Sequence, residues 1–221
     1  MKPTERLAEV TVPDGTRLTL LRHDGAYMLH ADGKELMSTR RSHSEVELAE
    51  LACRPILDRE APRALVGGLG FGFTLRAALQ LLPEGAHVVV AEIVQAVIDW
   101  NLHPDYALGG DALRHPRVSL RHADVLDVIR EGAESYDAIM LDVDNGAEAF
   151  TTSGNATLYG DQGIRATMSA LRPGGVIAYW SASDDARFVK ALRREGLTVS
   201  TQRSRTHRTS GSYHTIILAR R

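Results

Sequence analysis

A doubly wound α/β fold preceded by a small antiparallel β segment is what this 221-residue sequence predicts, and three observations predict it. From Ala64 onward, apolar β-branched runs alternate with helical patterns; the first run ends in alternate glycines, Gly68, Gly70 and Gly72; and residues 8–38 carry short period-two pieces separated by Pro13-Asp14-Gly15, Asp24-Gly25 and Asp32-Gly33. Repeated βα units with apolar strands call for a parallel sheet covered by helices on both faces. Tight turn signals between alternating runs read as hairpins.

In order, the N-terminal pieces are AEVTV, RLTLLRH, AYMLHA and KELMS, expected as strands of the small sheet. Ser44 followed by Glu47 has the pattern of a capping box, and Val46, Leu48, Leu51 and Ala52 give the helix after it an apolar face that ends near Pro55. The βα units follow: ALVGG with a helix from Thr74, HVVVAE with VQAVIDWNL, RVSLRHA with VLDVIREGA, YDAIMLD with GIRATMSAL, and GVIAYWSA with ARFVKALRR. LTVSTQRS and YHTIILAR close the chain as an antiparallel pair at the sheet edge. Arg203, Arg205, His207 and Arg208 between them read as solvated turn charge.

With 43% hydrophobic and 24% charged residues the chain suffices for one sizeable core and is short for two. The expected division is an N-terminal β-hairpin segment over 1–42 and the ligand-binding domain over 43–221. A formal net charge of −2 gives no field favouring nucleic acid. No apolar run approaches the roughly 18 residues that span a bilayer, so neither nucleic acid nor membrane is an expected partner. MKPTERLAEV lacks a long apolar secretory core and one cysteine cannot staple a fold, which together point to the cytoplasm. Cys53, among Leu51, Ala52 and Ile56, reads as a buried core residue.

In an open α/β sheet ligands lie beyond the carboxyl ends of the strands. The first such end carries Gly68, Gly70 and Gly72, where a tight turn needs positive φ and a ligand needs bare backbone. The helix from Thr74 would aim its first amides at that ligand. The second ends in Glu92, placed where nucleotide folds put an acid on ribose hydroxyls. The third offers Asp124, either reading an adenine amino group or capping the helix from Val125, two roles that can coexist. The fourth delivers Asp142, with Asp144 and Asn145 just beyond. Two neighbouring carboxylates discourage each other's ionisation and so suit one of them to general-base work; the alternative is turn chemistry alone. The long aperiodic connection 143–158 reads as a binding loop. Tyr159, His43, Trp180, Ser181 and His214 are candidates for the wall of a substrate pocket.

VGGLGFGFTLR, VVVAEI, YDAIMLD and LYGDQGIRATMSALRPGGVIAYWSA resemble the successive motifs of the spermidine synthase-like group of class I S-adenosylmethionine-dependent transferases. The likeness covers about residues 32–182, including DGKELMSTRRSHSEVELA. It implies a Rossmann-like class I methyltransferase fold, a seven-stranded, mostly parallel sheet with an antiparallel C-terminal edge. It also implies a sulfonium nucleoside across the glycine loop, Glu92 on its ribose, Asp124 near its adenine, and Asp142 in the place of the acid that deprotonates an attacking amine. Ile93, Val125, Phe71 and Asp142 complete the expected cofactor set; Asp142, Asp144 and Asn145 form the expected catalytic set.

The departures set an expectation about the reaction. Phe71 stands where the synthases carry a loop acid for the amino end of a decarboxylated nucleoside, Asn145 where they carry a second polyamine-binding acid, and Leu36 where they carry a glutamine. Losing the loop acid removes a repulsion toward a donor carboxylate. Methyl transfer from intact S-adenosylmethionine to a small-molecule acceptor is therefore the main expectation. The alternatives are aminopropyl transfer from decarboxylated S-adenosylmethionine, Mg²⁺-assisted transfer using Asp142, Asp144 and Asn145, and a non-catalytic binding module. No resident metal is expected, and a homodimer is among the possible assemblies.

Overall fold

The structure is a computed structural model in which residues 3–106, 108–143, 157–207 and 211–221 are described. Strands β1 (Glu5–Thr11), β2 (Arg17–His23), β3 (Ala26–Ala31) and β4 (Lys34–Ser38) form an antiparallel sheet in sequence order. Its two tight turns hold Asp24 and Gly25 at φ 48° and 77°, and Asp32 and Gly33 at 47° and 82°. Paired left-handed residues are what a turn matched to strand twist requires, and Asp-Gly is the pair that supplies them at least cost. The period-two pattern turns Leu18, Leu20, Tyr27 and Leu29 inward to the core.

Helix α1 (His43–Cys53) runs into a 3-10 turn over Arg54–Ile56. The capping box does not form. The helix starts two residues earlier than that pattern implies, after Ser42, and the buried Ser44 hydroxyl donates to Glu45 Oε2 at 2.6 Å and lies 3.1 Å from His214 Nδ1. A tertiary partner distant in sequence has taken the hydroxyl that local spacing assigned to the cap.

The second sheet is built from β5 (Arg63–Gly67), β6 (His87–Glu92), β7 (Val118–His122), β8 (Tyr136–Leu141), β9 (Leu171–Ser181), β10 (Thr198–Arg205) and β11 (Tyr213–Arg220). Its order is β10-β11-β9-β8-β5-β6-β7. Strands β5 to β9 pair in parallel, β11 runs antiparallel to β9, and β10 is antiparallel to β11 at the edge. The mostly parallel sheet with its antiparallel C-terminal edge is the expected architecture. The intervening helices are α2 (Phe73–Leu81), α3 (Gln95–Leu102), α4 (Gly110–Leu113), α5 (Val125–Glu131), α6 (Asp161–Ala170) and α7 (Ala186–Arg194).

Alternation along the strands divides the core in two. Val66, Val90, Met140, Ala178 and Ile216 face α1, α2, α3 and the N-terminal sheet. Leu65, Val89, Leu141, Tyr179 and Ile217 face α5, α6 and α7. At the amino end of β8, Asp137 is 1% exposed and accepts from Arg63 N–H at 2.6 Å, from Arg172 Nη1 at 3.0 Å and from Arg59 Nη1. That carboxylate ties β5 and the entry to β9 onto β8, well away from the carboxyl ends where ligands bind. Among the described residues no helix is long and apolar enough to cross a membrane.

Candidate active site

The chain winds outward from β5 in both directions, through β6 and β7 on one side and β8 and β9 on the other, so the switch point lies between β5 and β8. Gly68 follows β5 and Asp142 follows β8. Asp142 N–H donates to the Gly67 carbonyl at 2.8 Å, tying the tip of β8 to β5, and Gly68 N–H donates to the Ala91 carbonyl at 2.9 Å, tying the glycine turn to β6. Gly68 sits at φ +89°, and a Cβ there would collide with the Asp142 carbonyl oxygen. Glycine is thus required twice over, by dihedral and by approach.

An open cleft begins at this junction, lined by Gly68, Ala91, Glu92, Ile93, Ala123, Asp124, Val125 and Val143. Glu92, 8% exposed, organises its floor. Oε2 accepts from Leu69 N–H at 2.9 Å and Oε1 from Val94 N–H at 2.8 Å. A carboxylate can accept at both oxygens, which is the capacity a vicinal diol needs, and the backbone N–H groups of Ile93 and Gly70 also act on this one. Burial raises the Glu92 carboxyl above the ordinary carboxylate range, against the opposing pull of the backbone N–H groups. Asp124 occupies both expected roles' positions: it lines the cleft and caps α5 by accepting from Leu126 N–H at 2.8 Å. Ile93, 47% exposed, puts an apolar side chain on the rim.

The other glycines shape the loop without lining the cleft. Asn101, 2% exposed on α3, donates from Nδ2 to the Gly70 carbonyl at 2.8 Å and accepts on Oδ1 from Gly109 N–H at 2.8 Å. Gly72, at φ +76°, would place a Cβ 3.0 Å from Gly109 Cα. Sequence reading passed over Asn101, although an amide inside an otherwise apolar helix is the signal of a buried polar tie. Phe71 is 4% exposed and packs in the core, outside the cleft lining.

Asp142 meets a residue that was expected only to open a helix. Thr74 lies in the first turn of α2, after Gly72 as N-cap, and its Oγ1 donates to Asp142 Oδ2 at 2.6 Å. The hydroxyl is also 3.4 Å from the Glu45 carbonyl, which brings α1 to the same place. Of the substrate candidates, Trp180 stands on the α1 side with its ring 4.5 Å from that of His214, at an interplanar angle of 67°. His43 opens α1, 3.9 Å from Glu47. Tyr159 packs on the opposite side of the sheet, against Tyr179 and Phe188, so the structure does not bring it to Asp142 and Trp180. Asp144 and Asn145 lie outside the described residues. Among the described residues no group of three or more His, Cys, Asp or Glu side chains is placed to hold a metal ion.

No protein-family model matches the sequence, and no curated protein matches it. Solved structures do. A spermidine synthase in complex with the transition state analogue AdoDATO superposes with a TM-score of 0.73 at 18% identity, covering 97% of this chain and 72% of the other. Spermidine synthase from Thermotoga maritima gives 0.71 at 18%, over 97% and 72%. A probable spermidine synthase from Corynebacterium glutamicum ATCC 13032 gives 0.68 at 16%, over 100% and 81%. The chain has the Rossmann-like fold of these synthases, as the motif resemblance implied.

These neighbours overturn methyl transfer as the main expectation and favour its alternative, aminopropyl transfer. The placement of Phe71 gives the physical reason. Phe71 is buried in the core and does not line the cleft, so its replacement of an acid does not set the charge of that cleft.

Proposed function

We propose that this protein is an aminopropyltransferase, moving the aminopropyl group of decarboxylated S-adenosylmethionine to an amine of a small-molecule acceptor. The observation that carries the reading is the switch point itself, where one glycine, Gly68, stands between an open cleft floored by Glu92 and the tip acid Asp142 held by Thr74. The synthase folds of its structural neighbours support the same reading.

The residues present fit the donor. Bare backbone at Gly68 allows close approach, the Glu92 carboxylate can accept from the ribose hydroxyls, and Ile93 and Val125 offer apolar surface to a base with Asp124 beside it. Asp142 would accept the proton of the attacking amine. As the new N–C bond forms at the carbon next to the sulfonium, the C–S bond breaks, its electron pair leaves with methylthioadenosine, and the ammonium proton passes to the carboxylate. Thr74 orients the carboxylate by donating to its Oδ2. Asp144 and Asn145, next in sequence, are part of the proposed catalytic segment.

A cytoplasmic setting and a homodimer belong to the same proposal; the first rests on the single cysteine, Cys53, which is buried. The test is product identity. Decarboxylated S-adenosylmethionine with 1,4-diaminobutane should release methylthioadenosine in step with an aminopropylated amine. Absence of methylthioadenosine across a panel of mono-, di- and triamines would overturn the assignment.

A further inference from the structure

Three adjacent strands carry a row of side chains on the face covered by α1. Register pairs Leu141 of β8 with Tyr179 of β9, and Ile216 of β11 with Trp180, so Asp142, Trp180 and His214 share the face of Met140, Ala178 and Ile216. Contacts agree with the register: Thr74 of α2 reaches Asp142, and Ser44 of α1 reaches His214. The first turn of α1 therefore roofs the row, and Glu45 is the acid in that turn.

Glu45 is half-buried, and its carboxylate accepts from the Ser44 hydroxyl at 2.6 Å while Ser44 Oγ lies against His214 Nδ1. Its backbone carbonyl shares Thr74 Oγ1 with Asp142. The nearby basic side chains have other partners: Arg41 pairs with Glu35, and His43 lies 3.9 Å from Glu47. Among the described residues no ion pair engages Glu45, and burial raises its carboxyl above the ordinary range despite the favourable fields of His43 and Arg41. A desolvated acid of this kind gains most from an incoming cation. Trp180 adds a second sign of an incomplete wall, a buried indole N–H with no acceptor among the described residues.

We infer that Glu45 is the specificity residue of the acceptor chamber, pairing with a second positive charge on the acceptor while the attacking amine sits at Asp142. This rests on the aminopropyl-transfer reading for the nature of the acceptor. It also places the second acid on α1, in a chain where Asn145 replaces the one expected after the fourth strand.

The experiment is calorimetric binding of 1,4-diaminobutane and of 1-aminobutane to the full chain, with and without methylthioadenosine. The parent should bind the diamine at least about 10-fold more tightly than the monoamine. Glu45→Gln should lose that preference by weakening the diamine alone, and Glu45→Asp should keep most of it. Equal weakening of both amines, an intact preference in Glu45→Gln, or no diamine binding by the parent would each overturn the inference. Because binding is read without turnover, its failure is separable from failure of the transferase reading, which shows as absent methylthioadenosine release. If Glu45→Gln does not fold, Glu45→Ala takes its place: loss of the diamine preference with unchanged monoamine affinity supports the inference, and an intact preference or an equal loss for both amines overturns it.

Discussion

Thr74 Oγ1 donates to Asp142 Oδ2 at 2.6 Å, joining the first turn of α2 to the tip of the strand beside β5. A hydroxyl so placed orients the carboxylate without competing for its second oxygen. Thr74→Val, which keeps the shape and removes the donor, should lower kcat by about 10- to 100-fold, the weight of one hydrogen bond to a charged group. KM for the donor should change little, and Thr74→Ser should restore most of the rate. Methylthioadenosine release is the assay; an unchanged kcat in Thr74→Val would remove Thr74 from the machinery.

Asp142→Asn tests the proton acceptor itself. General bases contribute about 10²- to 10⁴-fold, and kcat should fall by that order. Raising pH to deprotonate the amine in solution should recover part of the loss. Nucleoside affinity, measured separately by calorimetry, should persist.

Glu92 carries the cleft, so Glu92→Gln should weaken methylthioadenosine binding by about 10- to 100-fold, since hydrogen bonds to an ionised group are worth about 1.5–3 kcal/mol. The effect is twofold in origin: the ribose loses its acceptor, and an amide cannot accept from both Leu69 and Val94 through oxygens. Gly68→Ala should also abolish binding, because its Cβ meets the Asp142 carbonyl. Undiminished affinity in Glu92→Gln would place the nucleoside elsewhere.

Asp137 makes the contrasting prediction. Removing one partner of a buried ion pair costs about 3–5 kcal/mol. The guanidiniums of Arg59 and Arg172 keep 34% and 40% exposure, so the cost for Asp137→Ala should lie at the lower end. Urea unfolding should register it, while kcat per folded molecule stays at the parental value.

Acid should weaken the fold through His214. Burial, and then the charge of Arg41, hold its imidazole below the ordinary value of 6.5. The unfolded chain therefore takes up the proton first, and stability is lost as pH falls from 6.5 through the lower folded value. Glu45, raised by burial, acts in the opposite sense, so the comparison must be between variants. His214→Asn should show a flatter denaturation midpoint between pH 7 and 5.5 than the parent; a profile of equal slope would show that His214 does not contribute.

The strand pattern was legible because period two leaves little choice of face, and the carboxyl-end residues Gly68, Glu92, Asp124 and Asp142 followed from it. What resisted reading were side chains whose direction depends on something other than period. Phe71 lies between two left-handed glycines, which turn the backbone over and send its ring into the core. Ser44 was read as a cap because His214, far away in sequence, was not visible as its partner. Tyr159 follows a long aperiodic connection in the sequence, where no local pattern sets its direction, and it enters the layer opposite Trp180.

The strand order has a consequence for how this chain acquires its shape. β11 lies between β9 and β10, although β10 is made first. Until Tyr213–Arg220 arrives, β10 has no neighbour and the far side of β9 stands open. Completion of the sheet must therefore wait on its latest strand, and that same strand delivers His214 beneath α1. A chain interrupted before β11 would lose both the intact sheet and the contact of His214 with Ser44 of α1, so the two faces of that junction meet only in molecules that have finished folding.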